Sequence, residues 1–249
     1  MSLANNVKST IKSLIPRSAV GKVRRMLLKS DINNYKNMEN NEAIFDKVYS
    51  DLVWQQGTDS KSPSGDGSDG LWLDESIKYI SGQGLLENRR ALEIGCGDFS
   101  FGSQIASLAD HYTAGDVSGK IIGQNKERYA DMSGVTFMQV DATLDALPQV
   151  DVVIIRQVLQ HLTNDMISAI LDQLDVMKPE KIIVFEDVPA DEFKPNHDLE
   201  TAGPYTRHLF ESGVDLSKPP FSRPFRQTVQ WLHPRHPQVP ARLVCYELN

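Results

Sequence analysis

Apolar positions recur along this chain with two periods. Short apolar runs at 90–94, 111–116, 136–140, 151–155 and 181–186 alternate with amphipathic stretches near 100–109, 119–130 and 163–177. The short runs read as strands and the longer stretches as helices, an alternation that predicts a parallel sheet covered by helices. The last two runs, Thr228–Leu232 and Arg242–Leu248, are joined by the proline-rich His233–Pro240. A link that short, without a helix, predicts an antiparallel hairpin. The insert 187–227 has no period. Long irregular segments in compact domains are functional or disordered, and one leaving the carboxyl edge of a sheet is placed to cap a substrate.

Upstream the period is helical. Residues 4–15 carry Val7, Ile11, Leu14 and Ile15 at that spacing until Pro16 ends the segment, and residues 18–29 repeat it with Val20, Val23, Leu27 and Leu28. Residues 39–54 predict another helix, with Ile44, Phe45, Val48, Leu52 and Trp54, and Leu71–Ser81 predicts one more. Between those two, residues 57–70 are rich in Gly, Ser and Asp and read by composition as a flexible loop. The fold class is therefore α/β: a seven-stranded, mostly parallel sheet with a C-terminal antiparallel hairpin and an N-terminal helical extension. The expected division is 1–85 for the extension and its loop, and 86–249 for the sheet domain with its cap insert.

Charge changes this picture at one end. The chain carries a net −7, yet all seven charged residues before Ser30 are basic (Lys8, Lys12, Arg17, Lys22, Arg24, Arg25 and Lys29), which leaves −14 on the remainder. An acidic body argues against nucleic-acid partners, whose phosphates demand basic surface. The basic amphipathic start suits peripheral contact with an anionic membrane surface, or equally a helical cover docked on the acidic body. With 40% hydrophobic and 24% charged residues the composition is that of an ordinary globular protein. No apolar run approaches the roughly 20 residues of a membrane span, and the start lacks a secretory h-region. The two cysteines, Cys96 and Cys245, make no disulfide framework, so the expected compartment is cytoplasmic, with a possible peripheral place at the inner face of the membrane.

The candidate chemistry sits at the strand ends. Ala91–Ile94 runs into Gly95-Cys96-Gly97-Asp98-Phe99, a tight turn at the carboxyl edge, where open sheets bind ligands. Gly95 and Gly97 permit conformations and approaches that a Cβ blocks. Glu93 and Asp98 would repel a pyrophosphate and suit a ligand bearing positive charge. Asp116 ends the second strand about 20 residues beyond the turn, where a carboxylate grips ribose hydroxyls. Asp141-Ala142 follows the third strand, where an acid can accept a hydrogen bond from an adenine amino group. The fourth strand leads into Arg156-Gln-Val-Leu-Gln-His161.

With those residues in place, the chain resembles the class I methyltransferases that use S-adenosylmethionine (SAM), over roughly residues 86–249. Glu93-Ile-Gly-Cys-Gly97 looks like their first motif, Asp116 their ribose acid and Asp141 their adenine-side acid, while their common third glycine is Phe99 here. A narrower likeness is to bacterial methyltransferases of lipopolysaccharide and surface-glycan biosynthesis. It rests on Trp54, Ser64-Gly-Asp-Gly-Ser68, Cys96-Gly-Asp-Phe99, Arg156-Gln-Val-Leu-Gln-His161, Asn196-His-Asp198 and Pro220-Phe221. The resemblance implies a Rossmann-like fold with SAM as cofactor, and a loop at 57–70 that closes over it rather than staying free.

The cofactor-side candidates are Glu93, Gly95, Gly97, Asp116, Asp141, Ala142 and Arg156. An acceptor hydroxyl benefits from a base, and His161 is one candidate, His197 with Asp198 the other. Each has a bland alternative: a helix-start residue satisfied by backbone for His161, a polar loop without partners for the pair. Arg156 and Arg207 could hold an anionic group through bidentate bonds, or Arg156 could pair with Glu93 or Asp116. Glu186-Asp187 with His197 could bind a divalent ion, but no compact ligand spacing supports it, and no metal is expected. The resulting expectation is O-methylation of a sugar hydroxyl on a glycan acceptor. The alternatives are a small-molecule or N-methyltransferase and a noncatalytic SAM-binding scaffold. An NAD-dependent oxidoreductase is disfavoured by the flanking acids and by the absence of G-x-G-x-x-G spacing.

Overall fold

The computed structural model describes residues 32–55, 62–65, 71–189, 192–233 and 240–247. The basic segment 1–30 with its expected helices lies outside the described residues, as do 57–61 and 66–70 of the glycine-rich loop and 234–239 of the hairpin link.

Seven strands form one sheet: β1 (Arg90–Ile94), β2 (His111–Asp116), β3 (Val135–Gln139), β4 (Val152–Arg156), β5 (Lys181–Asp187), β6 (Arg226–His233) and β7 (Ala241–Glu247), in the order β3-β2-β1-β4-β5-β7-β6. The first five run parallel, while β7 pairs antiparallel with β5 and with β6. The hairpin expected from the short proline-rich link is thus present. Strand order reverses between β1 and β4, which opens a crevice at their carboxyl ends, the place where such sheets take ligands. The central strands are buried along nearly their whole length, β4 entirely so, as parallel strands covered on both faces must be. Among the described residues no helix is long and apolar enough to cross a membrane.

The helices follow from capping and stripe. In α1 (Asn41–Ser50) the Asn40 side chain accepts from Ala43 N–H at 2.8 Å, and Ile44, Phe45, Val48 and Tyr49 form the buried face. The helix expected over 39–54 stops at Ser50, because Leu52 turns left-handed (φ +51°) and Val53–Gln55 continues as a 3-10 turn. α2 (Leu71–Gly82) leads into β1. The expected 100–109 helix is a short α3 (Gly102–Ile105) followed by a 3-10 turn, Ala106–Leu108. α4 (Gly119–Arg128) is capped by Ser118, and α5 (Asn164–Met177) by Thr163 at its start and by left-handed Lys178 at its end.

The insert after β5 packs back over the crevice. It holds a 3-10 turn at Arg207–Phe210, and Arg207 is its keystone. That guanidinium is fully buried and donates to the Leu162 carbonyl (2.6 Å), the Asn164 side chain (2.9 Å) and the His197 carbonyl. The expectation that Arg207 holds an anionic ligand is therefore corrected: the side chain is fully buried, with both Nη atoms donating to the chain's own oxygens and Nε left without a partner.

Candidate active site

β1 ends at Ile94 and the chain turns at once. Gly95 and Gly97 have φ of +73° and +55°. Space forbids side chains there as firmly as the backbone does. A Cβ on Gly95 would fall inside Val158 Cγ2, and one on Gly97 would lie 2.6 Å from Ser64 Oγ. The Gly95 and Cys96 N–H groups donate to the Gly115 carbonyl of β2 at 2.8 and 2.9 Å, and Gly97 N–H donates to Asp116 Oδ2 at 3.0 Å. Asp116 Oδ1 accepts from Ser118 N–H at 2.9 Å, and the Tyr49 hydroxyl of α1 donates to Oδ2 at 3.4 Å. Burial pushes this carboxyl up to about 6 against those donors. One strand further out, Asp141 Oδ2 accepts from the Asn41 amide of α1 at 2.9 Å, while Oδ1 accepts from Thr143 N–H and Oγ1 at 2.9 and 2.6 Å. Both strand-end acids are thus oriented by the domain on one side and by α1 on the other.

These groups surround a cavity of about 230 Å³, room for several waters at roughly 30 Å³ each and too large for a packing defect. Ile94, Val117, Val140 and Ala142 make its apolar part, and Phe45, Tyr49 and Trp54 of the extension close it with rings. Trp54 is fixed by an Nε1–H bond to the Pro204 carbonyl (3.3 Å) and by ring contacts with Tyr49 and His161 at 5.3 and 5.2 Å. Ser64 and Gly65 also line the cavity, and Ser64 Oγ accepts from Asp98 N–H at 3.0 Å. In its described residues, 62–65, the glycine-rich loop is docked on the turn. Asp98 faces this loop rather than the cavity, since its carboxylate accepts from Ser62 Oγ at 2.6 Å.

Of the residues singled out in the sequence, Gly95, Gly97, Asp116, Asp141, Ala142, Arg156 and His161 come together in the cavity wall. Glu93 does not. Successive strand residues face opposite ways, so Ile94 reaches the cavity while Glu93 points beneath the turn. There its Oε2 accepts from the Tyr112 hydroxyl at 3.0 Å. His197 and Asp198 are likewise elsewhere. They line a separate small pocket with Tyr205 and Phe210; the His197 ring stacks on Phe210 at 5.3 Å, and Asp198 accepts from Asn164 N–H at 2.7 Å, at the start of α5. The pair is corrected from candidate base to loop architecture. Glu186 is spent too, accepting from the N–H groups of Val158, Leu159 and Gln160 at 3.2, 2.8 and 3.2 Å. This leaves no Glu186–Asp187–His197 metal set, and among the described residues no group of three or more His, Cys, Asp or Glu side chains is arranged to hold an ion.

His161 stands on the 3-10 turn that Glu186 anchors. Its Nδ1 lies 3.2 Å from the Tyr205 carbonyl and its Nε2 3.4 Å from Gln160 Nε2. A carbonyl can only accept, so Nδ1 carries the proton and Nε2 presents a lone pair. Burial pushes the imidazole down to about 4, which keeps it neutral at pH 7. The residues that sequence reasoning missed are Asn41 and Tyr49. Their signal was a polar group on the apolar stripe of α1.

Glu93 supplies a pH dependence. Its Oε1 is buried without a hydrogen-bond partner, and burial raises its pKa from 4.5 to about 7 against the nearby Arg156 charge. The folded state holds this proton more tightly than the unfolded chain. Its stabilising contribution is full below pH 4.5 and is lost as pH rises through 7. Asp116, raised to about 6, acts in the same direction. His161, lowered from 6.5 to about 4, loses its contribution only as pH falls below 6.5. The ligand-free protein is expected to melt at a lower temperature at pH 8 than at pH 6.5, and Glu93→Gln to flatten that slope. Equal slopes in thermal scans of the two proteins would contradict this.

A family model described as a methyltransferase domain matches residues 92–180. No curated protein matches the sequence. Among solved structures the chain is similar to the N-methyltransferase NodS from Bradyrhizobium japonicum WM9, at 15% identity and a TM-score of 0.57, over 72% of this chain and 98% of that one. It is also similar to magnesium protoporphyrin IX methyltransferase (ChlM) from Synechocystis PCC 6803, at 16% identity and a TM-score of 0.57, over 85% of this chain and 99% of that one. At such identities the likeness is one of fold. Residues 92–180 match a methyltransferase-domain model, and they lie in a Rossmann-like sheet of the kind seen in these solved structures.

Proposed function

We propose that this protein is a SAM-dependent methyltransferase that methylates a hydroxyl of a sugar, on a surface-glycan or lipopolysaccharide precursor. The observation that carries the reading is the cavity at the strand ends. Its described walls hold three carboxylates, Asp116, Asp141 and Asp187, against one permanent cation, Arg156. That balance suits a ligand with a sulfonium and an ammonium, and it repels a pyrophosphate. The domain match, and neighbours solved with SAM or S-adenosylhomocysteine bound, support SAM as the cofactor.

The chain's own residues divide the work. The Gly95–Gly97 turn admits the methionine end where a side chain would block it. Asp116 takes the ribose hydroxyls, and Asp141 with Ala142 and Val140 takes the adenine. When bound, SAM supplies a methyl group already attached to a good leaving group. What remains for the protein is orientation of the acceptor. His161 Nε2, which faces the Gln160 amide N–H at 3.4 Å, accepts a hydrogen bond from the acceptor hydroxyl when that amide yields its place. Its depressed basicity makes it an orienting group more than a strong base. The sugar is the finer part of the reading, and it rests on the surface-glycan likeness of the motifs Trp54, Ser64-Gly65, Cys96–Phe99 and Arg156–His161.

Calorimetry with SAM, S-adenosylhomocysteine and NAD tests the cofactor. SAM and its thioether product are expected to bind and NAD not to; the reverse pattern would overturn the proposal. Asp116→Ala removes the partner of Gly97 N–H as well as the ribose acceptor. It should weaken SAM binding by about 1–3 kcal/mol, or roughly 5- to 150-fold.

A further inference from the structure

The acceptor sites on Asp116 fall one short of what a ribose needs. An ionised carboxylate offers about four lone-pair sites, two on each oxygen. Asp116 Oδ1 accepts from Ser118 N–H at 2.9 Å and keeps one site. Oδ2 accepts from Gly97 N–H at 3.0 Å and from the Tyr49 hydroxyl at 3.4 Å, which fills it. A ribose diol gripped by both oxygens donates once to each, so one of the present donors must leave Oδ2. Gly97 N–H is fixed by the glycine turn. The Tyr49 bond is the longest of the three, and it belongs to a side chain that can swing. A second partner stands beside it. Ser64 Oγ and the Tyr49 hydroxyl flank the same point of the turn, since a Cβ on Gly97 would lie 2.6 Å from one and 3.6 Å from the other. Ser64 Oγ accepts from Asp98 N–H at 3.0 Å and, as a hydroxyl, can accept once more.

We infer that the Tyr49 hydroxyl is a placeholder on Asp116: it holds the oxygen that the cofactor's ribose takes, yields it on binding, and reclaims it as the spent cofactor leaves. The inference rests on the assignment of Asp116 to the ribose and deepens it, by naming the group that sets how fast the site empties. Asp116 is only 4% exposed, and a buried carboxylate oxygen left short of donors is costly. Tyr49 supplies the donor whenever the ribose does not. Its bond forms as the ribose bonds break, so it speeds departure and weakens the binding of every ligand that carries the diol. Asn41, on the same helix, has no such part. It is the single donor on Asp141 Oδ2, at 2.9 Å, and an adenine amino group can donate to the same oxygen beside it.

The test is surface plasmon resonance on the full chain, with S-adenosylhomocysteine, adenosine and 2′,3′-dideoxyadenosine as ligands. Tyr49→Phe is expected to bind the two diol ligands about two- to tenfold more tightly than the parent, the net worth of one hydrogen bond, with the gain in slower dissociation. Tyr49→Leu serves if the Phe variant misfolds. The dideoxy ligand, which makes no call on Asp116, should bind parent and variant within about twofold. Lys120→Ala guards against a general loosening of α1. It cuts another tie of that helix, from Lys120 Nζ to Ser50 Oγ at 3.1 Å, and should leave S-adenosylhomocysteine dissociation within about twofold of the parent. Three results would overturn the inference: diol ligands that bind Tyr49→Phe no better than the parent, a dideoxy ligand that gains as much as adenosine, or the same slowing in Lys120→Ala. Failure of S-adenosylhomocysteine to bind the unmodified protein would instead strike the proposed function.

Discussion

Gly95→Ala is expected to abolish cofactor binding and to cost the fold about 2–5 kcal/mol. Two independent terms add. The residue sits at φ +73°, where a side chain costs about 1–2 kcal/mol, and the new methyl overlaps Val158 Cγ2, an overpacking worth about 1–3 kcal/mol. Val158 has little room to retreat, because its own N–H is tied to Glu186 at 3.2 Å and the next two N–H groups to the same carboxyl. Any shift therefore drags the His161 turn with it. Gly123→Ala is the control. It lies within α4, with nothing within 4 Å of where a Cβ would stand, and should be neutral or stabilising by about 0.5–1 kcal/mol. Urea denaturation and SAM calorimetry on both variants decide the matter. A Gly95→Ala protein within about 0.5 kcal/mol of the parent and still binding SAM would contradict the geometry.

Arg207→Ala is expected to cost about 3–5 kcal/mol without altering what the cavity recognises. The substitution empties a fully buried volume and strands three acceptors: the Leu162 and His197 carbonyls and the Asn164 side chain. Each stranded group costs about 1–3 kcal/mol where water cannot reach it, and the void adds to that. Were Arg207 a ligand-binding cation, its removal would leave stability nearly intact and change only affinity. Chemical denaturation of the folded variant separates the two. A loss below about 1 kcal/mol would return Arg207 to the candidate ligand residues.

The sheet was legible in the sequence because its strands are short apolar runs that stop at acids or turns. β1 and β2 begin and end where the pattern places them, and the hairpin followed from the length of one link. The glycine turn and the strand-end acids were legible for the same reason, since their places follow from strand order. Glu93 was misplaced although the alternation of β1 already assigns it and Ile94 to opposite faces. His197, Asp198 and Arg207 were beyond reach. They sit in an insert without a period, and part of what consumes them lies far away in sequence: Asn164, 34 residues before Asp198, and the Leu162 carbonyl, 45 residues before Arg207. Asn41 and Tyr49 could have been found as polar groups on the buried stripe of α1, but not their partners Asp141 and Asp116.

Phe99 occupies a left-handed position, at φ +61°, where the resemblance leads one to expect glycine. Its ring is fully buried and meets Tyr129 and Phe137 edge-on at 5.1 and 4.9 Å. A Cβ at Gly102 would run into that same ring. The two positions therefore constrain the order in which this motif can diverge. A side chain at 102 is admissible only after the ring at 99 and the Glu93 carboxylate, 2.5 Å from that Cβ, have both given way, and removing the ring first opens a void beside Tyr129 and Phe137.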